Sequence, residues 1–363
     1  MLVERYSDIK EIASEWKSIQ KNGEALVFQT FEWVSHWMEF VGKAQHIEPL
    51  IVVVREKINS PPLLILPFGI RTSFGCRILS ILGGFHADYA GGVINKNCVS
   101  KCPTGETLWG EIEKIARGEK VDLIWVWNIP LHLGRVPNPL WFKGCRQSGE
   151  SNAIVGVNSW QEYYQEIVPT KVRADSRRQR KRLAEIGQLR FCLAKTLKEG
   201  IDFTQTMIIQ KSERYTALGI KNQFDQPEHW EFFLKSVQGR NGLMPHVSAL
   251  LLDDRILAVH WGEVHDGRFY YLMPSHDERW EKFSPGRLLL EHLVEWSFKS
   301  GYDVFDFTVG AEAYKYHWAN LSTPLFEYNQ VLTFMGCVFT KARNYYRTYV
   351  KREGNGTIKM ERN

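Results

Sequence analysis

The segment from Ser284 to Leu288 combines residue types that can bind an anion at the start of a helix. Pro285 favours the first turn of a helix and Gly286 adds no side chain, so the backbone N–H groups that follow lack a partner within the helix. Such groups and the helix dipole attract negative charge, and Arg287 would add a charged contact to a phosphate. The alternative interpretation is an ordinary helix start, with Ser284 as the N-cap and Pro285 as the first helical residue.

A single carboxylate, Asp306, lies inside the apolar strand predicted over residues 303–308. A charge in such a strand is costly unless it is paired. Strand alternation places Asp306 on the face opposite Phe305 and Phe307. The pattern is compatible with a general base of raised pKa, with a clamp for a substrate amine, and with a structural carboxylate that pairs with a basic residue or with backbone N–H groups.

Three further polar residues, Glu312, Tyr314 and Lys315, follow this strand, and His260 lies within an earlier predicted strand. A lysine at this place binds a carboxylate or a phosphate, or else lies on a solvated helix face. His260 has the chemistry of a general base, although a histidine inside a strand is also typical of a satisfied core residue. Together with Asp306, these four residues are the catalytic candidates.

Residues 171–182 form a basic segment with seven Lys or Arg and one Asp. Helical spacing places Arg173, Arg177 and either Arg180 or Lys181 on one face, so Arg173 and Arg177 are candidates for binding a cofactor. Because like charges this dense repel one another, an anion is expected to contact the face: nucleotide phosphates, tRNA, an acidic carrier protein or anionic lipid. The alternative is a solvated helix. The absence of interleaved aromatic residues argues against base stacking.

The elements that must position these residues fall into two halves. A chain of 363 residues favours two domains, and 44% hydrophobic with 24% charged residues is typical of a soluble globular protein. A Pro-, Gly- and Asn-rich stretch at residues 137–149 separates the halves. We therefore predict a mixed α/β fold with lobes at residues 1–155 and 156–335, followed by a basic C-terminal helix and tail at 336–363.

Each half alternates helical and strand patterns. In the first half, the patterns predict helices over 8–22, 30–43 and 107–117, and strands over 49–54, 63–70, 77–82 and 122–127. In the second half, they predict helices over 201–217, 227–238, 286–299 and 312–319, and strands over 189–193, 246–252, 255–264, 268–274, 303–308 and 325–334. Ser159 and Glu162 form a capping-box pattern before a further helix. Asp266 and Gly267 predict a hairpin turn.

Charge and cysteine usage limit the class of protein. The formal net charge of +5 is mild and does not by itself indicate a nucleic-acid partner. The six cysteines form no CxxC pair and no Cys/His cluster of zinc spacing, which indicates reduced thiols, no metal and a cytoplasmic location. The sequence shows no signal-peptide pattern and no apolar window of transmembrane length, so we expect at most peripheral contact with the inner face of a membrane.

The order of these motifs resembles the GNAT-fold acyltransferases. The resemblance rests on the β-hairpin, the Ser-Pro-Gly-x-Leu-Leu-Leu helix from Ser284, the Asp-x-Phe-Asp-Phe strand from Asp303 and the Ala-Tyr-Lys-x-x-Trp segment from Ala313. More narrowly, it is similar to the cellulose-biosynthesis-type (CelD/BcsL) acetyltransferases, which are related to the FemAB peptidyltransferases. The resemblance is clearest over residues 159–320, and residues 26–40 are similar to the opening of such proteins.

The resemblance implies two GNAT-like lobes, the first one degenerate, each with a mixed and mostly antiparallel sheet flanked by helices. It also implies transfer of an acyl group from a thioester, acetyl-CoA or another acyl-CoA, to an amine. The family's phosphate loop, Q/R-x-x-G-x-G/A, corresponds to residues 283–287, which retain one of its glycines. Tyr314 matches the family tyrosine that protonates the leaving thiolate.

The partners that the resemblance implies are a small-molecule or glycan amine as acceptor, in cell-envelope polysaccharide metabolism. Two other donors stay open, since some GNAT-like enzymes use an acyl carrier protein and FemAB-type relatives use aminoacyl-tRNA. A hypothesis from a different class is a non-catalytic GNAT-like module that binds RNA or an anionic surface through residues 171–182. The sequence leaves the oligomeric state open.

Overall fold

The computed structural model describes residues 1–157 and 159–353. Its helices are α1 Ala13–Asn22, α2 Phe31–Trp37, α3 Gly105–Gly118, α4 Trp160–Glu166, α5 Thr170–Ala184, α6 Leu197–Ala217, α7 Pro227–Ser236, α8 Pro285–Lys299 and α9 Phe334–Glu353. A π-helical turn, Met38–Gly42, continues α2 and completes the helix predicted over residues 30–43. The N-cap predicted at Ser159 is confirmed, because its hydroxyl accepts a hydrogen bond of 3.2 Å from the Glu162 N–H.

The strands follow the predicted order with additions. They are β1 Leu2–Tyr6, β2 Glu48–Arg55, β3 Pro62–Ser73, β4 Cys76–Ile81, β5 Val93–Ile94, β6 Leu123–Pro130, β7 His132–Leu133, β8 Val136–Pro137, β9 Arg146–Val155, β10 Leu189–Leu193, β11 His246–Leu252, β12 Arg255–His265, β13 Arg268–His276, β14 Val304–Val309 and β15 Leu321–Val331. The hairpin between β12 and β13 turns at Asp266 and Gly267, both with positive φ, as their sequence predicts.

The chain forms two compact units. The first comprises Met1–Gly149 together with the described residues from Pro324 onward. Its strands lie in the order β1-β2-β3-β4-β6-β15, and β5 pairs with β3. The neighbours are antiparallel except β4 and β6, which run parallel on either side of the crossover helix α3. Apolar side chains of β2, β3 and β6 pack with α3 to form its core, around Leu108, Trp109 and Ile112.

The second unit comprises Glu150–Thr323. Its strands lie in the order β9-β14-β13-β12-β11-β10. All neighbours are antiparallel except β13 and β14, which are parallel and are joined through α8. Helix α8 buries Leu288, Leu289 and Leu293 against this sheet, where they meet Phe305 and Phe307. The predicted helix 286–299 and the strands that flank it are therefore confirmed.

The two units share one plan, and the mixed α/β fold with mostly antiparallel sheets flanked by helices is confirmed. Residues 324–335, which the predicted division assigned to the second lobe, belong to the first unit, and so does α9. The physical reason is strand pairing, because β15 pairs antiparallel with β6 from Leu325 to Val331. The strand predicted over 325–334 exists, but it extends the sheet of the first unit.

The helix predicted over residues 312–319 is wrong. The segment contains only a short 3₁₀ turn, Lys315–His317. Hydrogen bonds to β9 compete with helical ones here, since the Gly310 N–H donates to the Glu150 carbonyl and the Asn320 N–H to the Ala153 carbonyl. The segment is a connection fastened to β9, which is a strand that the sequence did not predict.

Candidate active site

The first turn of α8 presents two free backbone amides. The Leu288 N–H donates to the Ser284 carbonyl at 3.2 Å, whereas the N–H groups of Gly286 and Arg287 have no acceptor among the described residues. Ser284 has a left-handed backbone, with φ of 52°, and its side chain caps neither amide. Because these amides lie at the positive end of the helix dipole, their arrangement is suited to binding an anion.

His276 lies beside these amides and was not predicted from the sequence. It ends β13, and a Cβ placed on Gly286 would lie 3.4 Å from its Nδ1 atom. Burial lowers the pKa of His276, and the charge of Arg214 adds to this effect. The ring is therefore neutral near neutral pH and does not supply a cation at the helix start. Its position at the end of a strand before a Pro-Gly helix start is the sequence signal that points to it.

Arg287 is held by a carboxylate of the basic helix α5. Its guanidinium donates to Asp175, which also accepts from Arg178. Burial of Asp175 opposes ionisation, but the hydrogen bonds and charges of Arg287 and Arg178 outweigh it and lower the pKa of Asp175. A second ion pair, Arg180 with Glu291, joins α5 to α8. Arg287 therefore lies next to the open amides with its charge partly neutralised.

The two remaining cationic candidates on α5 differ in their surroundings. Arg173 donates to the Thr170 hydroxyl at 3.0 Å and lies over the ring of Tyr164. Arg177 is exposed, and no hydrogen bond or ion pair of its side chain appears among the described residues. The cations of residues 171–182 therefore do not all form one free face, because some of them form hydrogen bonds or ion pairs within the second unit.

Strands β13 and β14 separate beyond their third pair. Their parallel register runs from Arg268 opposite Val304 to Tyr270 opposite Asp306 and then stops. From Tyr271 to His276, β13 is paired along one edge with β12 and has no partner strand along the other edge among the described residues. Backbone groups on that open edge are available to a ligand, and the gap opens toward the end of the sheet where α8 begins.

A strained residue marks the opposite side of this gap. Thr308 has φ of 57°, which is unusual for a β-branched residue, and it is buried. The register of β14 with β9 shifts between Asp306 and Val309, so the strand bulges there. Strain of this kind is found preferentially at functional sites.

Asp306 lies at the start of this bulge and is engaged through both oxygens. It is 1% exposed. Arg268 donates to its Oδ2 at 2.7 Å, and the Thr308 N–H donates to its Oδ1 at 2.7 Å. These contacts correspond to the structural interpretation of Asp306 from the sequence, in which a basic residue and a backbone N–H satisfy the carboxylate.

Tyr314 lies in the connection after β14 and is partly exposed. Burial of the phenol raises its pKa above the ordinary value, and the charge of Glu312 adds to the effect. Tyr271, on the open part of β13, has its pKa raised by burial and then by the charge of Tyr314. A phenol that stays protonated at neutral pH can donate a proton or a hydrogen bond to a group in the gap.

Lys315 and Glu312 hold this connection together. The Lys315 ammonium is buried, donates to the Val309 carbonyl at 2.8 Å and pairs with Glu312 at 3.0 Å. This burial differs from the solvated helix face that was one interpretation of Lys315 in the sequence. Glu312 keeps about a third of its side chain exposed.

His260 lies in the core of the second unit. It is fully buried and stacks on Tyr271, with ring centroids 4.7 Å apart. Burial lowers its pKa well below the usual range, followed by the charges of His246 and Lys211. Glu263, on the same strand and not predicted from the sequence, is also buried, and burial raises its pKa. The His260 ring is therefore neutral at neutral pH, and burial favours the protonated form of Glu263.

The corresponding helix start in the first unit is contacted by other parts of the chain. Helix α3 lies between β4 and β6 in the sequence as α8 lies between β13 and β14. The Gly105 N–H donates to the Pro139 carbonyl at 2.9 Å, and a Cβ on Gly105 would lie 2.9 Å from the Cβ of Phe142. Residues 139–142 therefore lie against the first residue of α3.

Other kinds of site are less well supported by the structure. Within residues 1–157 and 159–353, no three His, Cys, Asp or Glu residues are grouped so that they could hold a metal ion. All six cysteines are free thiols. None of the helices in the described part of the chain has the length and apolarity needed to cross a bilayer.

One sequence family matches the second half of the chain. Residues 170–316 match the family described as acetyltransferase (GNAT) domain. The match spans α5 to the connection after β14 and includes the α8 start, Asp306, Glu312, Tyr314 and Lys315. No curated protein sequence matched the chain.

Solved structures with the same fold cover nearly the whole chain. FemX aligns with a TM-score of 0.57 at 10% identity, covering 92% of this chain and 98% of its own. L-PGS from Bacillus licheniformis aligns with a TM-score of 0.52 at 12% identity, covering 88% of this chain and 91% of its own. A tandem GNAT protein from the clavulanic acid biosynthesis pathway aligns with a TM-score of 0.50 at 9% identity, covering 91% of this chain and 98% of its own. At these identities the likeness concerns the fold, and it confirms the prediction of two GNAT-like lobes.

Proposed function

We propose that the protein is an N-acyltransferase that transfers an acyl group from a thioester donor, acyl-CoA, to an amine. The observation that supports this most is the pair of open amides at Gly286 and Arg287, next to the gap between β13 and β14, inside a GNAT acetyltransferase domain. The absence of a side chain at Gly286 leaves room for a phosphate close to the backbone. Under this proposal, Ser284 to Leu288 bind the pyrophosphate of the donor.

The proposed roles of the other residues follow from their exposure. The amine nitrogen attacks the thioester carbon, a C–N bond forms, the C–S bond breaks and the amine loses a proton. Backbone N–H groups on the open edge of β13 stabilise the negative charge on the carbonyl oxygen. Tyr314 gives its proton to the thiolate.

The amine proton passes to water or to a carboxylate. Of the candidates Asp306, His260 and Glu312, only Glu312 keeps a substantial exposed fraction. Asp306 and His260 remain candidates for positioning, through the bulge of β14 and through Tyr271. Positioning contributes much of the rate enhancement in such a mechanism, so few side chains need be indispensable.

For the acceptor, we propose an amino sugar or another glycan amine of the cell envelope, in line with the CelD/BcsL acetyltransferases that the sequence resembles. Exposed Arg177 and the partly neutralised Arg287 would add affinity for the donor phosphates. The chemistry at the reacting carbon is the same for any unhindered amine, so the acceptor is set by surfaces outside the residues discussed above.

A second candidate function is aminoacyl transfer from tRNA. It is favoured by the loss of all but one glycine from the phosphate loop, by exposed cations such as Arg177 and Lys181 on α5, and by the whole-chain likeness to FemX. A non-catalytic module that binds RNA or an anionic surface would use the same helix. Both alternatives require strong salt dependence, because phosphate contacts dominate such binding.

The test is an acyl-transfer assay with the full chain. Acetyl-CoA is mixed with a panel of amino sugars and other amines, and release of the CoA thiol is followed. Tyr314→Phe should lower kcat about 100-fold with little change in KM, because the leaving thiolate loses its acid. Tyr316→Phe, which removes a hydroxyl bonded to Glu150, is the matched control and should keep the activity. Transfer from aminoacyl-tRNA, with none from acetyl-CoA, would replace the proposal by the second candidate.

A further inference from the structure

Helix α9 has two different faces. Its inner face packs on the first unit, where Phe339 contacts the apolar cluster of β4 and β6 and the Arg343 guanidinium lies 3.9 Å from the ring centroid of Trp125. Gly336 is buried on this face, because its backbone approaches Asp122 too closely for a larger residue. The inner face therefore fixes which side chains of the helix point outward.

The outer face is apolar and aromatic. Phe334, Val338 and Tyr345 recur at helical spacing along it, with 83%, 45% and 75% of each residue exposed. Met335 and Tyr346 lie beside them and are exposed as well. Single exposed apolar residues need no explanation, but a row of them on one helix face marks an interaction surface.

The sequence that begins with this helix is basic. Residues 334–363 contain seven Lys or Arg and two Asp or Glu, a formal net charge of +5. This equals the net charge of the whole chain, whose 46 basic and 41 acidic residues leave 39 of each sign elsewhere. Lys341 lies within the exposed row itself, between Val338 and Tyr345. A partner for this face must therefore be negatively charged as well as apolar.

A further exposed aromatic residue lies outside α9, in the β3–β4 turn. Phe74 is at the tip of the β3–β4 turn and is 96% exposed. Cys76, two residues further on, belongs to the cluster that Phe339 contacts. Asp122 links the two elements, because it accepts from the Arg77 N–H at 2.8 Å and from the Thr333 hydroxyl. The β3–β4 strand pair that carries Phe74 is therefore linked to the start of α9.

We propose that the outer face of α9, together with Phe74, docks the protein on an anionic phospholipid bilayer. Aromatic and aliphatic side chains enter the boundary between headgroups and acyl chains, and Lys341 contacts lipid phosphates. Charge complementarity selects this partner, since two copies of so basic a segment would repel each other. The proposal concerns the first unit and holds or fails independently of acyl transfer by the second.

The test is sedimentation of the full chain with vesicles. Vesicles of phosphatidylcholine alone are compared with vesicles containing about 30% phosphatidylglycerol, at low and moderate salt. We expect binding to the anionic vesicles that weakens with salt. The triple variant Phe334→Ser, Val338→Ser, Tyr345→Ser should bind about tenfold or more weakly. Ile58→Ser, which removes an equally exposed aliphatic residue in the β2–β3 turn, is the matched control and should bind as the wild type does.

A second variant separates charge from apolar contact. Lys341→Glu keeps the apolar row and should lower binding to anionic vesicles while flattening the salt dependence. It decides the question if the triple variant fails to fold, which its melting curve will show. The proposal is overturned if the wild type does not sediment with anionic vesicles or if the triple variant binds as the Ile58 variant does. It is also overturned if the triple variant changes only the oligomeric state in size-exclusion chromatography.

Discussion

Asp306 is a buried carboxylate whose contacts lie at the bulge of β14. Arg268 and the Thr308 N–H satisfy its two oxygens, and Thr308 has the left-handed backbone that makes β14 bulge. The bulge follows directly after the last pair between β13 and β14. We infer that Asp306 stabilises the gap in which the reaction is proposed to occur.

Asp306→Asn should therefore act mainly on stability. The substitution leaves the Arg268 guanidinium without its carboxylate, and we expect the free energy of unfolding to fall by about 2 kcal/mol. Denaturant unfolding measures this, with Asp303→Asn, an exposed neighbour before β14, as control. Loss of activity at unchanged stability would instead identify Asp306 as the general base.

The burial of Glu263 leads us to expect that the stability of the protein falls as the pH rises. Burial raises the pKa of its carboxyl in the folded chain, so the folded state retains a proton that the unfolded state releases. Stability then falls as pH rises from the ordinary glutamate pKa of about 4.3 toward the raised folded value. Glu263→Gln mimics the protonated form and should raise the melting temperature near pH 8, with the gain shrinking toward pH 4.

The measurement is a series of melting curves for the wild type and Glu263→Gln between pH 4 and pH 8. Glu185→Gln, at an exposed position after α5, is the control and should track the wild type. A stabilisation by Glu263→Gln that is constant across the pH range would mean that Glu263 ionises normally in the folded chain.

At the scale of elements, the connection from Val309 to Trp318 determines where Tyr314 lies. Its residues are polar and aromatic with helical spacing, which is why the sequence predicts a helix over 312–319. In the structure its polar groups form tertiary contacts instead, such as the hydrogen bond from Lys315 to the Val309 carbonyl. Competition between local and tertiary hydrogen bonds is not visible in a sequence pattern.

Lys315→Met should loosen this connection. Methionine fills similar volume but loses the contacts to Val309 and Glu312, so we expect about 1 to 2 kcal/mol of destabilisation. Amide hydrogen exchange should rise in peptides covering residues 309–316 more than in those covering α8. Lys299→Met, which removes an exposed ion pair with Glu295, is the matched control. Equal exchange in the two variants would show that Lys315 does not hold the connection.

Helix α8 and the β12–β13 hairpin were predictable because local signals agree with the fold. Pro285 and Gly286 mark the helix start, the leucines recur at helical spacing, and Asp266-Gly267 favours a tight turn. Strand β9 was not predictable from the sequence, because its first half, Arg146 to Glu150, contains no large apolar residue from which a strand could be inferred. Its pairing with β14 supplies the order that its composition does not.

At the scale of the whole molecule, the chain repeats one plan with a difference at the ends. In each unit a parallel strand pair is joined by a helix, β4 with β6 through α3 and β13 with β14 through α8. The strand beside each pair comes from outside that run of chain, β15 for the first unit and β9 for the second. Long-range pairing of this kind leaves no local signal, so a sequence division at single boundaries could not represent it.

The candidate active site lies in the second unit. Both units have the crossover helix, but the sequence-family match covers residues 170–316, which lie in the second unit and include the start of α8. The N–H groups of Gly286 and Arg287 have no acceptor there among the described residues, so the proposed anion site depends on a few residues at one turn. We propose that this turn binds the phosphates of an acyl-CoA donor.

The most direct measurement is calorimetric titration of the full chain with CoA and acetyl-CoA, for the wild type, Gly286→Asn and Gly286→Asp. An aspartate in the first turn interacts favourably with the helix dipole, so the fold should be retained. Its negative charge should repel a phosphate bound there. We expect saturable binding to the wild type, weaker binding to Gly286→Asn, whose side chain fills part of the space for a phosphate, and binding at least about tenfold weaker still to Gly286→Asp, which adds a negative charge. No binding to the wild type, or equal binding to both variants, would contradict the proposal.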